Sequence, residues 1–142
     1  MITPGVRYPR WTIDSIPYWE GCKRGELLYQ ICENCSEVVF HARAACPYCL
    51  SDRLRWERSK GKGAIYSFAI QQLPVDRQNP GKVPLTLGIV EVDEGFHMFT
   101  EIDSTDLSVL KIGARVSVYF DQVAPDLVLP KFKLDSTAEV AR

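Results

Sequence analysis

The chain has 142 residues, enough for one domain or two very small ones, and its 46% hydrophobic and 25% charged content is ordinary for a soluble globule. No apolar run approaches the roughly 18 residues of a membrane span, and Met1 to Arg10 lack the apolar core of an export signal, so a cytoplasmic protein without a membrane role is expected. The formal net charge of -1 hides a split: residues 1–62 hold ten Lys or Arg against seven Asp or Glu, and residues 63–142 hold seven against eleven. An acidic rear half argues against a nucleic-acid strand tracking along it, because that binding needs positive charge beside the phosphates.

Residues 1–14 read as extended, with Pro4 and Pro9. Ser15 to Arg24 reads as a short helix: Pro17 fits its first turn, Lys23 and Arg24 its last, and Gly25 stops it. A helix this short does not stand alone in water, so its apolar face must dock. The surface it docks on is either the protein's own body or a partner protein that takes Tyr18 and Trp19.

Leu27 to Ile31 reads as a strand entering Cys32-Glu33-Asn34-Cys35, Val38 to His41 as its return, and Leu54 to Glu57 as the exit from Cys46-Pro47-Tyr48-Cys49. A Cys-x-x-Cys turn can aim two thiolates at one ion, and two such turns supply the four sulfurs of closed tetrahedral coordination. Disulfides need an oxidising compartment, and a redox dithiol normally comes singly at a helix start, so both fit less well. Cys32, Cys35, Cys46 and Cys49 are therefore expected to hold a structural metal, zinc by default with iron as the other option. Closed coordination leaves no place for substrate, so the ion is expected to support the fold and do no chemistry.

Lys60-Gly61-Lys62-Gly63 marks a joint, after which longer β-runs begin. Ala64 to Leu73 alternates, which places Tyr66, Phe68 and Ile70 on one face and in a core. Pro74 to Pro84 reads as a polar loop, Leu85 to Val92 and Phe96 to Ile102 as a hairpin around Asp93-Glu94-Gly95, and Ser104 to Leu110 as one helical turn. Arg115 to Gln122 is a fourth strand and Leu127 to Lys133 a fifth, where Pro130 suggests an edge. The expected fold class is mainly β: a short helix within 1–25, a zinc ribbon over 26–60, a five-stranded OB barrel over 61–134, and a flexible tail over 135–142. A plain β-sandwich or another small barrel is the alternative.

With these stretches in order, the chain resembles the zinc-ribbon plus OB-fold family associated with acyl-CoA metabolism. The resemblance rests on Pro17-Tyr18-Trp19-Glu20-Gly21, Gln30-Ile31-Cys32-Glu33-Asn34-Cys35, Cys46-Pro47-Tyr48-Cys49, Gly61-Lys62-Gly63-Ala64-Ile65-Tyr66, Leu87-Gly88-Ile89-Val90-Glu91-Val92 and Leu129-Pro130-Lys131-Phe132, and it covers residues 12–134. It implies a non-catalytic accessory subunit in a hetero-oligomer with a thiolase-superfamily enzyme, a thiolase or a steroid side-chain CoA-thioester aldolase. It also implies help with assembly, activity or acyl-CoA handling at a shared interface.

The residues themselves offer little catalytic chemistry. His41 and His97 have no sequence neighbours that suggest a triad. Cys22 has Lys23 and Arg24 beside it but reads better as a small apolar residue on the buried side of the helix. The basic run Arg53, Arg55, Arg58, Lys60 and Lys62 is a candidate for coenzyme A phosphates, against the simpler reading of a solvated ribbon edge. The competing functional class is a stand-alone nucleic-acid-binding ribbon and OB module.

Overall fold

The computed structural model describes residues 8–74, 83–104 and 106–135. The chain enters through a 3-10 turn, Ile13–Ser15, that runs directly into helix α1, Ile16–Lys23. The Thr12 amide donates to the Ser15 hydroxyl over 2.8 Å, so the turn is closed locally before the helix begins. Pro17 sits in the first helical turn, as expected, and Gly25 ends the helix at φ +75°, a conformation glycine adopts freely.

Three short strands follow as one antiparallel sheet in the order β2 (Val38–Val39), β1 (Leu28–Cys32), β3 (Leu54–Arg58). The barrel is closed in the order β4 (Lys62–Gln71), β5 (Leu85–Val92), β6 (Phe96–Asp103), β8 (Leu127–Leu134), β7 (Arg115–Ala124). A 3-10 turn, Leu107–Val109, lies between β6 and β7, with the Asp106 carboxylate accepting from the Ser108 amide. Most of the expected 74–84 loop and all but the first residue of the expected tail, residues 75–82 and 136–142, lie outside the described residues.

Two expectations about side-chain placement need correcting. Tyr66 does not share the core face of Phe68 and Ile70. The register of β4 against β5 runs Ile65↔Val90 and then Ser67↔Ile89, so Tyr66 is the extra residue of a β-bulge. Ile65 points in before the bulge and Phe68 and Ile70 pack inward after it, while Tyr66 is 54% exposed. Pro130 is not on an edge strand, because β8 lies between β6 and β7 in the closed barrel. Its missing N–H is tolerated because β8 pairs with β6 only through Ile102↔Phe132 and Asp103↔Lys133, two residues further on.

One apolar core joins ribbon and barrel. Leu27 and Tyr29 from the ribbon are buried in the same cluster as Ile65, Val90, Phe96, Met98, Val116 and Phe132 from the barrel. The aromatic rings continue outward from it: Tyr29 lies 5.1 Å from Phe96, Phe96 stacks on Phe40, and Tyr18 meets Phe40 edge-on at 5.8 Å. The joint is pinned as well. Ser59 is buried, its hydroxyl donates to the Glu94 carboxylate, and it accepts the Gly61 amide at 2.9 Å. Gly61 has φ +71°, and a Cβ there would stand 2.3 Å from Val118 Cγ1. Only glycine fits a position with both constraints.

Candidate metal centre and the groove beside it

The two Cys-x-x-Cys turns are built alike. Ser36 donates its amide to the Cys32 carbonyl at 2.8 Å and Leu50 donates to Cys46 at 2.9 Å. The Cys32 amide donates to the Glu37 carbonyl at 3.0 Å, and the Cys46 amide to Ser51 at 2.8 Å. Ser36 and Leu50, each just after the second cysteine of its pair, both have φ 65°. That left-handed residue turns each chain back on itself and leaves the cysteine side chains pointing into the space between the turns.

All four Sγ atoms lie within 4.8 Å of one another, and Cys32–Cys49 and Cys35–Cys46 are each 3.6 Å apart. Metal–sulfur bonds of about 2.3 Å in a tetrahedron place sulfurs about 3.8 Å apart, so the set fits one four-coordinate ion. Asn34 Nδ2 donates to Cys49 Sγ and the Tyr48 amide to Cys46 Sγ, both at 3.4 Å, and such donors favour thiolates. The Asn34 bond, together with a backbone bond from Ser51, draws Cys49 down to about 6. At Cys35 a backbone bond from Glu37 acts downward, but desolvation and hydrogen bonds with its three sulfur neighbours push the thiol up to about 12. Four clustered thiols cannot all ionise without a cation among them, which is the electrostatic signature of a metal site.

Cys22 is placed otherwise. It is 1% exposed, hydrogen-bonded to Tyr18, and burial pushes its thiol up to about 12, which leaves it little nucleophilic character.

A groove of about 620 Å³ runs between α1, the segment after β2 and the barrel wall. Tyr18 and Trp19 line it from the helix, Phe40 and His41 from the ribbon, Phe99 and Lys131 from the barrel. Gln30 fixes the ribbon side: it donates to the Arg43 carbonyl at 3.1 Å and accepts the Arg43 amide at 2.9 Å. Lys131 binds Asp121 at 2.7 Å and Glu101 at 2.8 Å. Burial alone pulls its ammonium pKa down, but the two carboxylates outweigh burial and hold it above the ordinary lysine value.

Tyr18 and Trp19 thus share one groove, with the Tyr18 ring turned inward on Phe40. The basic run is dispersed. Strand alternation puts Arg55 and Arg58 on opposite faces of β3. Arg55 pairs with Glu57 at 3.0 Å, Arg58 with Glu26 at 3.8 Å, and Lys62 Nζ donates to Ser117 in the barrel at 2.7 Å. Arg53 and Lys60 are exposed. The cations that line the groove are Arg10 and Lys131, which lie outside that run. No motif marks Arg10 in the sequence, and Lys131 stands in the Leu129-Pro130-Lys131-Phe132 stretch without a role assigned to it. Phe99 carries a weak signal, being a large apolar residue in the outward phase of an alternating strand.

Comparisons with known proteins follow this division of the chain. The model for the ChsH2 rubredoxin-like zinc ribbon domain matches residues 19–55, and the model for the ChsH2 C-terminal OB-fold domain matches residues 56–121. A DUF35 domain-containing scaffold protein of Methanothermobacter thermautotrophicus is 31% identical over 93 residues, 65% of this chain and 69% of the relative. A probable enoyl-CoA hydratase alpha subunit of Thermomonospora curvata is 26% identical over 92% of this chain, which spans only 41% of that protein. In structure, the chain matches one in the solved Ltp2-ChsH2(DUF35) aldolase with a TM-score of 0.79 at 24% identity, covering 89% of this chain and 98% of that one, a likeness of fold.

Proposed function

Because the chain belongs to the DUF35 family of zinc-ribbon and OB-fold proteins, we propose that it is a non-catalytic accessory subunit of an acyl-CoA enzyme. The partner in this reading is a thiolase-superfamily enzyme, a thiolase or an aldolase acting on CoA thioesters, held in a hetero-oligomer. One relative is named a scaffold protein, and the fold recurs in an aldolase assembly named for two components. The observation that carries the reading is the shared core: metal-tied ribbon, helix and barrel lock into one body around Phe40 and Phe96, a platform suited to presenting a fixed surface.

Zinc is the metal proposed for Cys32, Cys35, Cys46 and Cys49, because an all-sulfur tetrahedral set suits it and leaves no open position. Bound there, it would hold the two turns together and take no part in bond breaking. The groove lined by Trp19 and Arg10 is the place where an acyl-CoA would lie at the shared interface, with Arg10 as the cation for its phosphates, since Lys131 is held by Asp121 and Glu101. Purifying the tagged chain from its native host and identifying what accompanies it tests the reading. A stoichiometric thiolase-superfamily enzyme is expected. Recovery of the chain alone, or with nucleic acid, overturns it.

A further inference from the structure

The two walls of the barrel differ on their outer faces. On β7 and β8 the main cation is held between carboxylates: Lys131 binds Asp121 and, across to β6, Glu101, while Ser117 bonds both Lys62 and Asp135. On β4, β5 and β6 the outward positions form three rungs across the strands, Ala64–Glu91–His97, Ser67–Ile89–Phe99 and Ala69–Leu87–Glu101. The middle of this grid is apolar. Phe99 is 73% exposed, and the bulge throws Tyr66 outward, where its ring lies 4.6 Å from His97. The rim is acidic, with Glu91 at one end and Asp103 at the other, while Glu101 beside Asp103 is bound by Lys131 of β8. Among the described residues of these three strands the one cation is Lys62, and its ammonium is turned to Ser117 on the other wall.

We infer that this β4–β5–β6 face, centred on Phe99 and Tyr66, is where the enzyme subunit docks. The inference rests on the accessory-subunit reading and names the surface. Its charge pattern selects the occupant. An apolar centre with carboxylates around it matches a protein surface carrying an apolar patch rimmed by Lys or Arg. A second copy of this chain would bring acid against acid, an anionic lipid surface or a nucleic acid would be repelled by the same rim, and none offers that complement. Exposed aromatic residues at the middle of a patch are the usual centres of binding energy. Leu87, Phe99 and Glu101 also line the groove, so a subunit seated on this face would form its remaining wall.

The test uses the full chain and the enzyme subunit recovered with it, purified and identified as an acyl-CoA enzyme. Affinity is measured by titration calorimetry for wild type, Phe99→Asp, Glu91→Lys and, as a control on the other wall, Gln122→Glu on β7. Phe99→Asp should weaken binding by about 30-fold or more while leaving the melting temperature unchanged. Glu91→Lys should weaken it several-fold and flatten its salt dependence, and Gln122→Glu should bind like wild type. Wild-type affinity for Phe99→Asp, or equal losses in all three variants, overturns the face and leaves the accessory role standing. If no acyl-CoA enzyme accompanies the wild-type chain, the accessory role fails and the face with it.

Discussion

The ring of Phe40 lies flat on the ring of Phe96, with centroids 4.7 Å apart and planes 4° from parallel. Phe40 follows the last residue of β2 in the ribbon, and Phe96 opens β6 in the barrel, so this contact is the seam between the two halves. Phe40→Ala should cost about 2–4 kcal/mol in denaturant unfolding, toward the lower end because Phe40 is half-buried. A Phe40/Phe96 double-mutant cycle should show a coupling of about 1 kcal/mol. Wild-type unfolding should be one transition by both tryptophan fluorescence and far-UV dichroism. Two separate transitions would mean that ribbon and barrel are independent.

Removing a ligand from the metal centre should damage more than the ribbon. Cys46 is fully buried, and its cluster adjoins strands that feed the shared core. Cys46→Ser should drop metal content, measured by plasma mass spectrometry, from one ion per chain to near zero and lower the melting temperature of the whole protein. A variant that lost its metal with an unchanged melt would separate the ion from the fold.

The clamp at the joint gives a local readout. Glu94 receives the Ser59 hydroxyl and, at 3.3 Å, the Lys60 amide. Glu94→Ala should cost about 1–2 kcal/mol and speed hydrogen exchange at Ser59 and Gly61. Unaltered exchange there would show that the backbone holds the joint without the carboxylate.

These outcomes depend on features the sequence shows unevenly. The metal centre was legible because its four ligands come in two local turns whose spacing alone states the geometry. The strands were legible by alternation. Tyr66 was misplaced because one inserted residue reverses the phase of a strand, and nothing in Ala64 to Leu73 marks where the insertion falls. The groove was invisible for another reason: Arg10, Trp19, Phe99 and Lys131 meet only once helix, ribbon and barrel share a core. Glu94 reads in the sequence only as part of the Asp93-Glu94-Gly95 turn, because its partner Ser59 is 35 positions away.

The Asp93–Arg115 pair gives a pH dependence. Arg115 Nη1 and Nη2 bond the two carboxylate oxygens at 2.9 and 2.6 Å, and these bonds hold Asp93 below the usual carboxylate pKa. A depressed pKa means that the pair stabilises the fold above the unfolded value of about 3.9 and loses that stabilisation as pH falls through the folded value. Both groups are about half-exposed, so solvent screening limits the effect to about 0.5 kcal/mol. Asp93→Asn should therefore be less stable than wild type at pH 7, and the gap should close as pH falls through the depressed pKa of Asp93. A gap that persists at low pH would point to a cause other than charge.

The most direct test of the accessory role is turnover of an acyl-CoA substrate by three samples: the partner enzyme alone, this chain alone, and the two combined. The account predicts turnover that is weak or absent for the enzyme alone, zero for this chain, and restored in the mixture. Turnover by this chain in isolation, or full activity of the enzyme without it, would contradict the account.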